Sequence, residues 1–248
     1  MEALRYRQLL PAGPDIDACT YVHMLDLGGP RGGGTRPGAP RPDRPYVIAN
    51  FVVSVDGHAT VDQQSRRLSG AGDRELFYAL RERVDAVLVG PRTLAAEHYK
   101  RMLPAQERRA RRIASGLPAE PLAVTVSRSG RLNRDIPLFA DAPERTVVFE
   151  REDAELTHVL RTLRSDHGVQ TVLCEGGPTL FGALLAAQLV DELFLTLAPM
   201  LVGGASGPAL ISAPLHPPLD VPVPLELAAV LEQSGTLFLR YRPRARGR

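Results

Sequence analysis

The chain has 248 residues, 44% of them hydrophobic, which is enough to bury one substantial core and predicts one main domain. Thirty basic against 28 acidic side chains leave a net charge of +2, which excludes a global polycation that would drive the protein onto nucleic acid or a membrane surface. The positive charge is nearly all arginine, with Lys100 the lone lysine, so lysine-centred chemistry has one candidate and phosphate recognition falls mainly to guanidinium forks.

Met1 to Arg5 opens without a basic segment followed by an apolar core, and the longest apolar stretch, Leu180 to Val190, stops at Asp191-Glu192. Neither export nor a membrane span is expected, and the expectation is a cytoplasmic protein. Cys19 and Cys174 form no C-x-x-C pair, and no histidines cluster at metal spacing, which predicts a reduced, metal-free chain.

Residues 4 to 27 carry short apolar runs, Leu9-Leu10, Tyr21-Val22 and Met24-Leu25, and read as an arm that packs back on the main domain. Between Leu27 and Pro45 the chain is Gly, Pro and Arg with too few large apolar side chains to offset its ordering entropy, so residues 1–44 are an arm plus a flexible connector. Its Gly-x-Gly spacings follow no strand and open no helix, which argues against a dinucleotide fingerprint there. Residues 45–243 form the main domain and 244–248 a short basic tail.

From Pro45 onward apolar stretches alternate with amphipathic ones. Strands are predicted over Tyr46 to Val55, Ala86 to Val89, Leu122 to Val126, Thr146 to Phe149, Thr171 to Cys174 and Leu193 to Ala198. Helices are predicted over Leu76 to Val84, with Asp73 as N-cap, and over Leu156 to Leu163 and Leu180 to Val190. Leu225 to Val230 and Thr236 to Tyr241, after the Gly203-Gly204 turn, read as strands joined by Pro-rich loops. The fold class is α/β, a mostly parallel mixed sheet with antiparallel strands at its carboxyl end.

Four strand ends carry ligand-type chemistry. At Leu173-Cys174-Glu175-Gly176-Gly177-Pro178-Thr179-Leu180-Phe181 an apolar run ends in an acid, two glycines and a proline that opens a helix. That junction exposes amide N–H groups to an anion beside a carboxylate, at the sheet edge where open α/β folds bind ligands. At Ser54-Val55-Asp56-Gly57 a strand breaks into a hydroxyl, a carboxylate and a glycine, which reads equally as an Asx-type turn. After Gly90-Pro91-Arg92-Thr93, Thr93 is a candidate cap for a helix reaching Glu97, with Arg92 beside the anion site. Ser127-Arg128 places a hydroxyl and a guanidinium where a third strand stops, a pair able to fork onto a ribose 2′-phosphate. Each of the last two also has a capping or surface reading. Together the four point to a nucleotide-dependent enzyme.

With these residues in place, Pro45 to Arg242 resembles the reductase domain of the riboflavin-biosynthesis deaminase/reductase enzymes, relatives of dihydrofolate reductase, and especially their stand-alone actinobacterial branch. The most specific pieces are Glu175-Gly176-Gly177-Pro178-Thr179-Leu180, Leu189-Val190-Asp191-Glu192-Leu193, and Ala198-Pro199 with Gly203-Gly204. The resemblance implies a dihydrofolate-reductase-like three-layer αβα fold, a homodimer, and NADPH reducing the ribosylamino side chain of a phosphorylated aminopyrimidine to ribitylamino. It implies cofactor contacts at Val52, Val53, Thr93, Glu97, Ser127 and the Gly177 to Ala183 segment, and substrate contacts at Ser54, Asp56, Arg81 and Glu175. Glu175 and Asp56 are the catalytic candidates, Glu175 to orient or protonate. Gly90, Arg92, Arg128, Gly176, Pro178, Leu180 and Phe181 join the cofactor set. Asn50 stands where those enzymes carry a lysine and is assigned to substrate, as is Arg101 for its phosphate. No His-x-Glu with Pro-Cys-x-x-Cys occurs, so only the reduction half is expected.

Arg108-Arg109-x-Arg111-Arg112 has no interleaved aromatics and adjoins Glu107, which predicts a solvated insertion helix and not a nucleic-acid patch. His58 and His98 read as solvated loop residues, and Cys174 as a small buried hydrophobe. Two readings compete with the reductase: a non-catalytic NADP(H)-binding module, which NADPH would stabilise without being oxidised, and a dihydrofolate-reducing enzyme of the same class.

Overall fold

The computed structural model describes residues 4–27, 43–204, 207–211 and 221–244. The predicted connector over 28–42 and the tail over 245–248 lie outside the described residues. The chain divides into two compact units, Met1–His23 with Ile48–Ala79 and Pro178–Arg248, and Met24–Val47 with Leu80–Gly177.

In the second unit β4 (Ala86–Val89) pairs in parallel with β5 (Leu122–Ser127) and β7 (Thr171–Gly176), and β5 with β6 (Thr146–Glu150), giving the order β7-β4-β5-β6. Every residue of β4, β5 and β7 is buried, as continuous Val/Leu/Ala runs require when both faces of a parallel sheet are covered. Helix α6 (Leu156–Ser165) buries Val159, Leu160 and Leu163 on one face, and Glu155 caps it by accepting from the Thr157 and His158 amides. Short helices α3 (Pro91–Ala96) and α5 (Pro137–Asp141) both start on a proline at the first helical position.

Helix α4 (Gln106–Ala114) is largely exposed, in keeping with the solvated-helix expectation, with Arg112 the exception. Arg112 is 1% exposed and donates to the Arg81, Val84 and Pro118 carbonyls, and Arg108 and Arg111 both pair with buried Glu82. The arginine run therefore ties off the carboxyl end of α2 (Ala71–Arg83).

The first unit carries β3 (Tyr46–Ser54) from Ile48 onward, parallel to β8 (Glu192–Ala198), then β10 (Thr236–Pro243), β9 (Leu225–Gln233), β1 (Arg5–Leu10) and β2 (Ala12–Asp17), all antiparallel. The β9–β10 hairpin turns on Ser234 and Gly235, both at positive φ, the two-residue geometry that matches strand twist. The arm that sequence left without a role thus supplies two strands and α1 (Ala18–Met24); Tyr6 packs edge-on against Phe238 and donates to the Gly72 carbonyl.

Asp73, predicted as an N-cap, lies inside the first turn of α2 because the helix starts at Ala71. Its buried carboxyl accepts from Ser69 and Thr196, and burial pushes its pKa up. Helix α7 (Pro178–Ala186) lays Phe181 against Phe51, ring centroids 4.6 Å apart.

Candidate active site

In the second unit the ends of β4 and β7 meet through backbone. Gly90 N donates to Gly176 O at 2.6 Å, Gly176 has φ +102°, and the Gly176–Gly177 peptide is cis. A Cβ on Gly90 would lie 3.4 Å from Gly177 N, and one on Gly177 would lie 2.7 Å from Thr93 Oγ1. Glycine at 177 leaves room for the Thr93 hydroxyl, which a larger residue would have to push aside. Gly90, Thr93, Gly176 and Gly177 are thereby brought together at one sheet edge.

Thr93 is not the cap that sequence predicted. Gly90 occupies the N-cap of α3, and Thr93 is the third helical residue, its carbonyl accepting from Glu97 N. Arg92 and Arg128 are exposed and Glu97 is half-buried. Ser127 is buried at the end of β5 and donates to the Arg131 carbonyl, so its hydroxyl shapes the turn that follows.

Beside the glycines, Arg81 Nε and NH2 donate to Glu175 Oε1 and Oε2, each at 2.6 Å, while Arg81 NH1 reaches the Met102 carbonyl at 2.7 Å. Tyr99 donates to Glu175 Oε2 at 2.8 Å, and the Arg81 guanidinium lies 5.4 Å from the Tyr99 ring centre. Burial, then the Glu175 charge, pushes the Tyr99 hydroxyl pKa well up. Sequence reasoning missed Tyr99: it follows His98 in a polar loop, and no periodicity marks it. Arg101, assigned to substrate phosphate, instead donates to Glu120 Oε1 at 2.6 Å and to the Asp141 carbonyl, so its fork is engaged within the fold. Cys174 is fully buried, and burial pushes its thiol up to about 12.

In the first unit, Ser54 and Asp56 close a loop clamp. Ser54 Oγ donates to Asp56 Oδ1 at 2.5 Å and accepts from His58 N, and Asp56 Oδ2 accepts from Gly203 N at 2.8 Å and Val202 N at 3.2 Å. The Ser54 hydroxyl, then the Gly203 and Val202 amides, hold the Asp56 carboxyl well below the usual carboxylate range. His58 Nε2 lies 3.7 Å from Asp56 Oδ2. Val52 packs with Leu68 and Ala198, Val53 is buried, and Asn50 is buried in mid-strand. Pro178, Thr179 and Leu180 are half-buried at the start of α7, with Phe181 beneath them. Glu192 is fully buried, held by Arg240 and Arg242.

Among the described residues no group of three or more His, Cys, Asp or Glu could hold a metal ion, and no helix is long and apolar enough to cross a membrane.

Comparison with known proteins finds the chain's family and fold relatives. The family model of the RibD C-terminal domain matches residues 45–231. The 2,5-diamino-6-ribosylamino-4(3H)-pyrimidinone 5′-phosphate reductase of Archaeoglobus fulgidus is 30% identical over 189 residues, covering 67% of this chain and 86% of that one. A pyrimidine reductase-like protein of Corynebacterium diphtheriae superposes with a TM-score of 0.70 at 20% identity, over 82% of this chain and 94% of that one. Dihydrofolate reductase from Enterococcus faecalis matches in fold alone, with a TM-score of 0.50 at 13% identity over 81% of this chain and 97% of that one.

Proposed function

The chain belongs to the RibD C-terminal domain family, and from that membership we propose that it is an NADPH-dependent reductase of a ribosylamino-pyrimidine 5′-phosphate, forming the ribitylamino product. The observation that carries the reading is the glycine junction after Glu175: backbone brought so close that a Cβ at Gly177 would strike Thr93, on a sheet edge that ends in a helix start. These residues fit a dinucleotide. Gly90, Thr93, Gly176 and Gly177 would hold it in the second unit.

A bound reduced nicotinamide would supply the hydride that C1′ of the open-chain side chain needs, with a proton going to the attached nitrogen. Glu175 holds the orienting role at this site. Both of its oxygens already accept from the Arg81 fork, and Oε2 also accepts from Tyr99, so the carboxylate fixes these donors in place. Asp56, clamped by Ser54 and two amides, sets the shape of the loop where substrate contacts were assigned.

A homodimer is part of the same proposal. On one face of the first unit's sheet Leu195, Leu197, Leu237, Leu239 and Val230 share register and are only half-buried, with Leu225 and Leu227 exposed. A second copy of the chain would cover this apolar face.

The test is to titrate NADPH against thermal stability and then follow reduced-nicotinamide absorbance with the ribosylamino-pyrimidinone phosphate and with dihydrofolate. Stabilisation together with oxidation dependent on the pyrimidine supports the reading. Stabilisation without oxidation supports a binding module, and oxidation with dihydrofolate alone supports the other reductase.

A further inference from the structure

Tyr99 touches both members of the buried Arg81–Glu175 pair. Its hydroxyl donates to Glu175 Oε2 at 2.8 Å, and the Arg81 guanidinium carbon lies 5.4 Å from its ring centre, within cation–π range. The same loop brings the Met102 carbonyl to Arg81 NH1 at 2.7 Å. Residues 99–102 thus hold the carboxylate and the guanidinium together, from a segment anchored by Met102 and Leu103, which are 1% and 0% exposed.

The backbone is arranged for this contact. His98, directly before Tyr99, has φ +49°, a left-handed conformation that residues other than glycine rarely adopt. Tyr99 N then donates to the Leu94 carbonyl at 3.1 Å, and the Tyr99 carbonyl accepts from Leu138 N at 3.0 Å. Both ends of the residue are fixed, so its side chain leaves the main chain from a settled position. Residues in sparsely populated conformations gather at functional sites, where the surrounding structure holds them.

The pair does not need a third donor to be satisfied. The Arg81 fork alone reaches both Glu175 oxygens, the geometry that makes an arginine–carboxylate pair complete. Tyr99 adds a bond to Oε2 beside that of Arg81 NH2, so three donors fix the plane of a carboxylate that leads directly into Gly176 and Gly177. Burial, then the Glu175 charge, makes the hydroxyl reluctant to ionise, which suits a steady hydrogen-bond donor and not a proton-transfer group. We propose that Tyr99 is a positioning residue of the reductase: its hydroxyl acts through Glu175 and its ring through Arg81, and its contribution falls on turnover of the pyrimidine and not on cofactor binding. The proposal rests on the reductase reading above.

The test compares the full chain with two variants. Tyr99→Phe removes the hydroxyl and keeps the ring over Arg81; Tyr99→Leu removes both. Glu175 keeps its two bonds from Arg81 in Tyr99→Phe, so no buried charge is left unpaired and the melting temperature is expected to stay close to wild type. Rates are compared at a temperature where melting curves show each variant folded. With NADPH and the ribosylamino-pyrimidinone phosphate both saturating, the single-turnover rate of NADPH oxidation is expected to fall about ten-fold in Tyr99→Phe and further in Tyr99→Leu, while the NADPH Kd and the pyrimidine KM stay within about two-fold of wild type. An unchanged single-turnover rate in Tyr99→Phe overturns the proposal. So does a raised NADPH Kd or pyrimidine KM with the rate intact, which would make Tyr99 a binding contact. A Tyr99→Leu rate no lower than that of Tyr99→Phe overturns the part given to the ring. A wild-type chain that binds NADPH and never oxidises it with the pyrimidine overturns the reductase reading itself, and the wild-type arm alone tells the two failures apart.

Discussion

Arg81 grips Glu175 at two points, Nε to Oε1 and NH2 to Oε2, both at 2.6 Å, with the two side chains 6% and 2% exposed. A buried pair of this kind is weak evidence for stability as a whole, but removing one member leaves a charge without compensation. Arg81→Met is therefore expected to cost about 3–5 kcal/mol in urea unfolding. Arg81→Met combined with Glu175→Leu is expected to recover most of that stability while remaining inactive. A double variant as unstable as the single one would show that the pair is not coupled.

The Asp56 clamp predicts a pH signature. Its folded pKa lies below the unfolded value of about 3.9, so the clamp stabilises the fold above that value and the contribution is lost as pH falls through the folded pKa. Asp56→Asn is expected to melt below wild type at neutral pH, and the difference is expected to shrink in acid below about pH 4. Melting curves across the acid range check this; a gap that widens in acid contradicts it.

Gly177→Ala places a methyl group 2.7 Å from Thr93 Oγ1. The overpacking is expected to cost about 1–3 kcal/mol, with weakened NADPH binding. Adding Thr93→Ala is expected to relieve the strain and restore stability without restoring affinity. Unfolding curves and NADPH titration of the two variants separate packing from binding.

Leu239 pairs in register with Leu195 and Val230 at the centre of the half-buried apolar face. Leu239→Glu is expected to convert a sedimenting dimer to a monomer with the melting curve of a folded protein. A wild-type chain that sediments as a monomer at assay concentration removes the dimer from the account.

Much of the fold was legible because local signals agreed. The all-buried strands read as unbroken apolar runs, and Pro178 opened a helix where a first-turn proline belongs. The glycine pair after Glu175 was legible for the same reason: few other roles suit an acid, two glycines and a proline at a strand end. What stayed hidden depends on distant partners. Ser54 and Asp56 read equally as a turn until Val202 and Gly203 supplied the amides that fix them. Tyr99 meets Glu175 across 76 residues of sequence, and Arg112 looks like a surface charge until the carbonyls of α2 are placed around it. The arm was unreadable because β1, besides its hairpin with β2, joins the sheet through β9, near the other end of the chain.

The most direct measurement is to react the protein with the ribosylamino-pyrimidinone phosphate and NADPH deuterated at both C4 positions of the nicotinamide, then locate the label in the product. The account predicts a ribitylamino product carrying a single deuterium at C1′. NADPH oxidised with no deuterium in the pyrimidine product, or an unchanged substrate, would contradict it.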